Sequence, residues 1–120
     1  MKGTVYWMAP ETVKYANKVT CTGKVDIWGL GCVIIEMITN CNHPWAFEPN
    51  CTDASGCSVL FKLGNMQRPP IPDSFSISRQ LRDLMDQCFI KLPEERPCAS
   101  SLSKHSFLSI GSITNRTGKN

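Results

Sequence analysis

Residues 23–39 read GKVDIWGLGCVIIEMIT, and this stretch decides the fold. Leu30, Val33, Ile34, Met37 and Ile38 recur at i, i+3 and i+4, the spacing of one face of an α-helix. Trp28 and Ile35 add apolar surface elsewhere around the same cylinder. A helix that is apolar on nearly every side belongs in the middle of a fold, so a central helix with elements packed all round it is expected. The apolar run Ile27 to Ile38 contains Glu36 and is far shorter than the roughly 18 residues a membrane span needs. It is a core segment.

Upstream, residues 1–11 mix Gly, Thr and aromatics and end in Ala9-Pro10-Glu11. Residues 12–22 are polar and loop-like, with room for one helical turn after Pro10. Downstream, residues 40–57 are rich in Asn, Pro and Cys and read as a loop. Ser58 to Gly64 makes a short amphipathic helix through Val59, Leu60 and Leu63. Arg68-Pro69-Pro70-Ile71-Pro72 is extended, because a residue before proline is pushed out of the helical region. From Ser78 to Ile90 a second firm helix carries Ile77, Leu81, Leu84, Met85, Cys88 and Phe89 on one stripe, with Arg82, Asp83 and Asp86 off it. Pro93 stops it, and Pro97 suits the first turn of a third helix bearing Ala99, Leu102 and Phe107. Mainly α is the expected class, as one domain over residues 1–108 with a flexible tail over 109–120.

Composition narrows the function classes. The chain has 120 residues, 42% hydrophobic and 19% charged, which suits a globular domain and not a disordered one. Its formal charge is +3, but no two basic residues are adjacent, so neither a nucleic-acid arm nor a polybasic membrane anchor is expected. The start, Met1-Lys2-Gly3-Thr4, lacks the apolar run of a secretory signal, which favours a cytoplasmic location. Seven cysteines without a CxxC pair then read as reduced thiols, with Cys32 and Cys88 as small core hydrophobes. Cys41, His43, Cys51 and Cys57 could supply four zinc ligands, but their spacing matches no common structural pattern, and a solvated cysteine-containing loop is the preferred reading. No metal site is expected. His105 has no nucleophile placed beside it and reads as a packing or surface residue.

Three further strings occur in order: Gly3-Thr4-Val5-Tyr6-Trp7-Met8-Ala9-Pro10-Glu11, then Asp26-Ile27-Trp28-Gly29-Leu30-Gly31, then Pro93-Glu94-Glu95-Arg96-Pro97. Together they resemble the second half of a eukaryotic serine/threonine protein kinase domain. Pro44-Trp45, Pro70-Ile71-Pro72 and the terminal Lys104-His105-Ser106-Phe107-Leu108 look like the MAP kinase kinase kinase or sterile-type group. The resemblance covers roughly residues 3–108 and implies the C-terminal lobe of that fold.

What the resemblance implies can be written residue by residue. Thr4 matches the threonine that supports the catalytic Asp, and Gly-Thr here favours transfer to Ser or Thr. Val5, Tyr6, Trp7 and Met8 match the loop that receives the residue after the phosphoacceptor. Glu11 and Arg96 match an ion pair tying this loop to the last helices. Asp26 matches the helix-start carboxylate that holds the catalytic-loop backbone, a place the helix dipole favours. Trp28 beside it is structural. Two departures stand out: Gly29 replaces a usual Ser, and Cys98 with Ser101 replaces the usual Thr-x-x-Glu capping box.

Phosphoryl transfer in this family needs a Gly-rich cover, a strand Lys, an HRD catalytic loop and a DFG metal ligand. None occurs within these 120 residues. The expected role is therefore a partial kinase domain, inactive by itself, with ATP and Mg²⁺ implied only for a complete domain and kinase-cascade proteins as substrates or partners. The missing kinase half is the partner expected in cis. Two alternatives remain: a non-catalytic docking or decoy module that keeps the substrate-binding face, and an unrelated helical domain.

Overall fold

A central 17-residue helix organises the chain. The computed structural model describes residues 5–14, 23–41, 43–48, 57–65 and 67–108. Five helices of four residues or more lie within these: α1 (Pro10–Lys14), α2 (Gly23–Thr39), α3 (Cys57–Gly64), α4 (Arg79–Cys88) and α5 (Ala99–Leu102). Short 3-10 turns cover Val5–Trp7 and Pro93–Glu95, and no strand occurs among the described residues. No helix among them is long and apolar enough to cross a membrane. The tail from residue 109 and most of the polar run 12–22 lie outside the described residues.

Helix α2 ends at Asn40, whose φ of 54° is the left-handed conformation that closes many helices. Its N–H still reaches Glu36 O at 2.7 Å, and the Thr39 hydroxyl donates to Ile35 O at 2.7 Å. Helix α4 starts at Ser78, whose hydroxyl accepts the Leu81 N–H at 3.1 Å. Its Leu84, Met85 and Cys88 face inward while Arg82, Asp83 and Asp86 stay exposed. Residues 67–72, the proline-rich stretch, carry no helix, as their backbone restrictions require.

Two apolar clusters share α2. Trp28, Cys32 and Ile35 pack with Ala9, Trp45, Val59, Leu63, Met85 and Phe89. Ile27 packs with Leu84, Cys88 and Leu102. The Trp28 and Phe89 rings meet edge to face at 4.9 Å. Gly31 is what lets α4 come this close: a Cβ there would lie 2.8 Å from Phe89 Cζ and 2.9 Å from Cys88 Cβ. At Gly29, two residues earlier and on the opposite face of the helix, an added Cβ would meet nothing within 4 Å.

Two expectations need correction. Helix α2 is apolar all round but covered on one side only: Ile27, Trp28, Cys32 and Ile35 are buried, whereas Met37 is 77% exposed and Leu30 and Val33 are each 42% exposed. Apolarity on every face records surface to be covered, and the elements described here reach only half of it. The last helix is also shorter than its apolar spacing suggests. It stops at Leu102, and after a break over residues 103–105 the chain is helical again at residues 106–108. Cys98 gives the N-terminus no side-chain cap, and the Ser103 hydroxyl donates to Ser100 O at 2.7 Å, competing for a backbone acceptor of the helix.

Candidate functional site

The segment 5–11 is held at both ends by residues far away in sequence. At its carboxyl end Pro10 occupies the first position of α1, where its missing N–H is not needed, and Glu11 follows in the first turn. Glu11 is 7% exposed and Arg96 1% exposed. Their forks meet bidentately, Arg96 Nη1 donating to Glu11 Oε2 at 2.9 Å and Nη2 to Oε1 at 3.1 Å. The other Arg96 donors go to carbonyls: Nη1 to Lys24 O at 2.7 Å, Nη2 to Lys91 O at 3.2 Å, and Nε to Ile90 O at 2.8 Å. All five guanidinium protons are used, which is the condition under which a charge tolerates burial. The guanidinium carbon also lies 5.3 Å from the Trp28 ring centre.

At the amino end, Tyr6, Trp7 and Met8 are each half-buried. Trp7 Nε1 donates to Glu36 Oε1 at 2.9 Å, joining the 3-10 turn to α2. The Cys32 thiol lies 4.0 Å from Tyr6 O. The Tyr6 ring stacks on His43 at 3.9 Å between centroids. The turn thus rests on α2 from below and on the 43–48 loop from the side. Thr4 and the Val5 side chain lie outside the described residues.

Asp26 sits exposed in the first turn of α2, where the helix dipole favours its charge. Trp28 is fully buried between the two anchoring groups, with Arg96 over its face and Phe89 at its edge. Lys24 Nζ donates to Pro93 O at 3.0 Å, a second tie between the start of α2 and the turn before Arg96. Sequence reading gave no role to Lys24, Glu36 or the Tyr6–His43 contact. Glu36 carried a signal, as the one charge within the apolar run Ile27 to Ile38; the ring contact carried none, because nothing in its spacing marks a pair.

The zinc alternative finds its atoms otherwise engaged. Cys41 accepts from the Thr39 hydroxyl at 2.9 Å and donates to His43 O at 3.0 Å. His43 Nδ1 accepts the Trp45 N–H at 3.2 Å. Cys51 and the Cys57 side chain lie outside the described residues, and among those described no three His, Cys, Asp or Glu residues gather to hold a metal. Burial pushes the Cys32 thiol well up and raises the Cys88 thiol to about 11. Both behave as core hydrophobes.

A groove of about 500 Å³ opens on the uncovered side of α2, with Leu30, Ile34 and Met37 on one wall and Leu81, Leu84 and Leu102 on the other. It faces away from the Trp28 core cluster and holds no titratable side chain among its lining residues.

The comparisons with known proteins agree with this geometry. Residues 1–108 match the protein kinase domain model. A serine/threonine-protein kinase of Saccharomyces cerevisiae is 38% identical over 118 residues, covering 96% of this chain and 7% of that protein. The mitogen-activated protein kinase kinase kinase 3 of Arabidopsis thaliana is 42% identical over 109 residues, 89% of this chain and 16% of its own length. The kinase kinase kinase YODA of the same plant is 38% identical over 108 residues, 89% of this chain and 11% of that protein. The chain therefore spans about a sixth or less of these relatives. With its buried Glu11–Arg96 tie, its central helix and its lack of strands among the described residues, it belongs to the protein kinase domain family, as a stretch of its mainly helical C-terminal lobe.

Proposed function

We propose that this chain supplies the substrate-docking part of a serine/threonine kinase acting in a MAP kinase cascade. Residues 5–8 form the surface that receives the residue after the phosphoacceptor, and Thr4 supports the catalytic Asp of the complete domain. The observation that carries the reading is the clamping of segment 5–11 between Glu36 on α2 and Arg96 after the second 3-10 turn. A docking surface must keep its shape while substrates come and go, and a segment fixed at both ends does so.

ATP and Mg²⁺ do not fit the described residues. Asp83 and Asp86, the two carboxylates closest together in sequence on α4, are exposed and engaged by His105 and Arg68. Nucleotide and metal would be held by an upstream half of the domain, which would also cover the open groove on α2. The cytoplasm is the compartment this role implies.

A stand-alone docking or decoy module is the second reading, and the uncovered apolar wall of α2 favours it, since an exposed patch of that kind suits a protein partner. The test is phosphoryl transfer from labelled ATP with Mg²⁺ to protein substrates. The chain extended upstream to a complete kinase domain should transfer phosphate to Ser or Thr and lose most of that activity on Thr4→Ala. Residues 1–120 alone should transfer none. Transfer by residues 1–120 alone, or its absence from the complete domain, would reject the proposal.

A further inference from the structure

Tyr6 and His43 come from separate segments, yet their rings lie 3.9 Å apart between centroids with 18° between planes. The His43 ring is fixed from behind. Its Nδ1 accepts the N–H of Trp45, and its carbonyl accepts both the Cys41 thiol and the Ala46 N–H at 3.2 Å. Trp45 is fully buried in the main cluster, so the loop carrying His43 is pinned to the core. With Nδ1 accepting, the proton of the neutral ring resides on Nε2. Burial holds His43 below the usual histidine range, against an opposing upward pull from Glu36, which keeps the ring in that neutral form.

The Trp7 to Glu36 hydrogen bond latches the Trp7 side of the 3-10 turn; on the Tyr6 side the Cys32 thiol lies 4.0 Å from the Tyr6 carbonyl, and the Tyr6 ring itself stacks on His43. We infer that His43 is a positioning residue for the docking surface: its ring fixes Tyr6, and through Tyr6 the conformation of residues 5–8 that meets the protein substrate. This rests on the function proposed above. His43 acts through Tyr6 and touches no reacting group.

Two substitutions separate the ring face from the hydrogen bond. His43→Asn keeps an acceptor for Trp45 N–H and removes the aromatic face; His43→Phe keeps the face and removes the acceptor. Both are made in the chain extended to a complete kinase domain. Amide hydrogen exchange over residues 5–9 reads the order of the turn, and steady-state kinetics reads its use. His43→Asn should speed exchange there by about 2- to 10-fold, the worth of one aromatic pair. It should raise KM for protein substrate by a similar factor while leaving KM for ATP unchanged. His43→Phe should stay within about twofold of wild type in both readouts, well inside the spread of a single aromatic contact. Equal impairment of the two variants, wild-type behaviour of His43→Asn, or a parallel rise in KM for ATP would overturn the inference. A wild-type domain that transfers no phosphate, with exchange still following the ring face, would reject the catalytic reading and support the positioning of the turn by His43.

Discussion

Arg96 and Glu11, 85 positions apart, form a bidentate ion pair in which neither partner reaches solvent appreciably. The pair joins the start of α1 to the turn that follows α4, and three backbone carbonyls complete the guanidinium shell. Removing one partner strands the other in a dry site. Arg96→Ala in a complete domain should therefore cost about 3–5 kcal/mol. Arg79→Ala, at an exposed position on α4, should stay within about 0.5 kcal/mol. Arg96→Lys should fail to rescue, since an ammonium has three donors and no fork. Thermal unfolding of the three variants checks this, and equal melting temperatures for Arg96→Ala and Arg79→Ala would contradict it.

The two glycines of α2 should respond oppositely to alanine. At Gly29 a Cβ enters open space, so Gly29→Ala should stabilise by up to about 1 kcal/mol through helix propensity. At Gly31 the same methyl strikes Phe89 and Cys88, and Gly31→Ala should destabilise by about 1–3 kcal/mol. Denaturant midpoints of the two variants decide it, and the same sign for both would refute the close packing of α2 on α4.

Thiol reactivity should rank by burial. Cys98 is exposed, and hydrogen bonds from Ser100 and then Ser101 bring its thiol down to about 6, while burial raises Cys32 and Cys88. At pH 7, iodoacetamide followed by peptide mapping should find Cys98 alkylated well before Cys32 or Cys88. The sign of the linked stability follows from a folded value of about 6 against an ordinary 9.0. Cys98 contributes most above the ordinary value, and its contribution is lost as pH falls through about 6. Cys98→Ser should flatten that part of the stability profile.

His105 should be a single tautomer. Its Nδ1 accepts the Phe107 N–H at 3.0 Å, so Nε2 is the nitrogen that donates to Asp83 Oδ2 at 2.6 Å. The same hydrogen bond lowers the Asp83 carboxyl below its usual range. Long-range ¹H–¹⁵N correlation at neutral pH should show a bare Nδ1 and a protonated Nε2. The opposite pattern would mean that residues 106–108 are not tied to α4 in this way.

The open side of α2 should dominate the behaviour of residues 1–120 alone. Leu30, Val33, Met37 and Leu108 are each at least 42% exposed. Covering side chains of this kind is worth about 1.5–3 kcal/mol apiece, comparable in sum to the 5–15 kcal/mol of a whole domain. Sedimentation should find the isolated chain associated, with a broad thermal transition. Leu30→Lys with Met37→Lys should make it more soluble and should destabilise a complete domain whose upstream half covers the groove, as proposed above. A soluble wild-type monomer with a sharp transition would favour the stand-alone module.

Residues within a few positions of one another made the helices legible. The apolar spacing of α2 and the Ser78 start of α4 act over a turn or two, and each appears where the sequence places it, whereas α4 ends at Cys88, ahead of the expected stop at Pro93. The order of three short motifs was enough to name the family, since those strings are local too. Long-range geometry was not legible in the same way. The coverage of α2 on one side, the clash that requires Gly31, the Trp7–Glu36 latch and the Tyr6–His43 stack depend on which distant surfaces meet. A chain records how much apolar surface each segment must bury, but the partner that buries it is chosen by packing across the whole fold. For this protein the sequence determined the elements and their kinship, and the tertiary structure decided how the segment 5–11 is held.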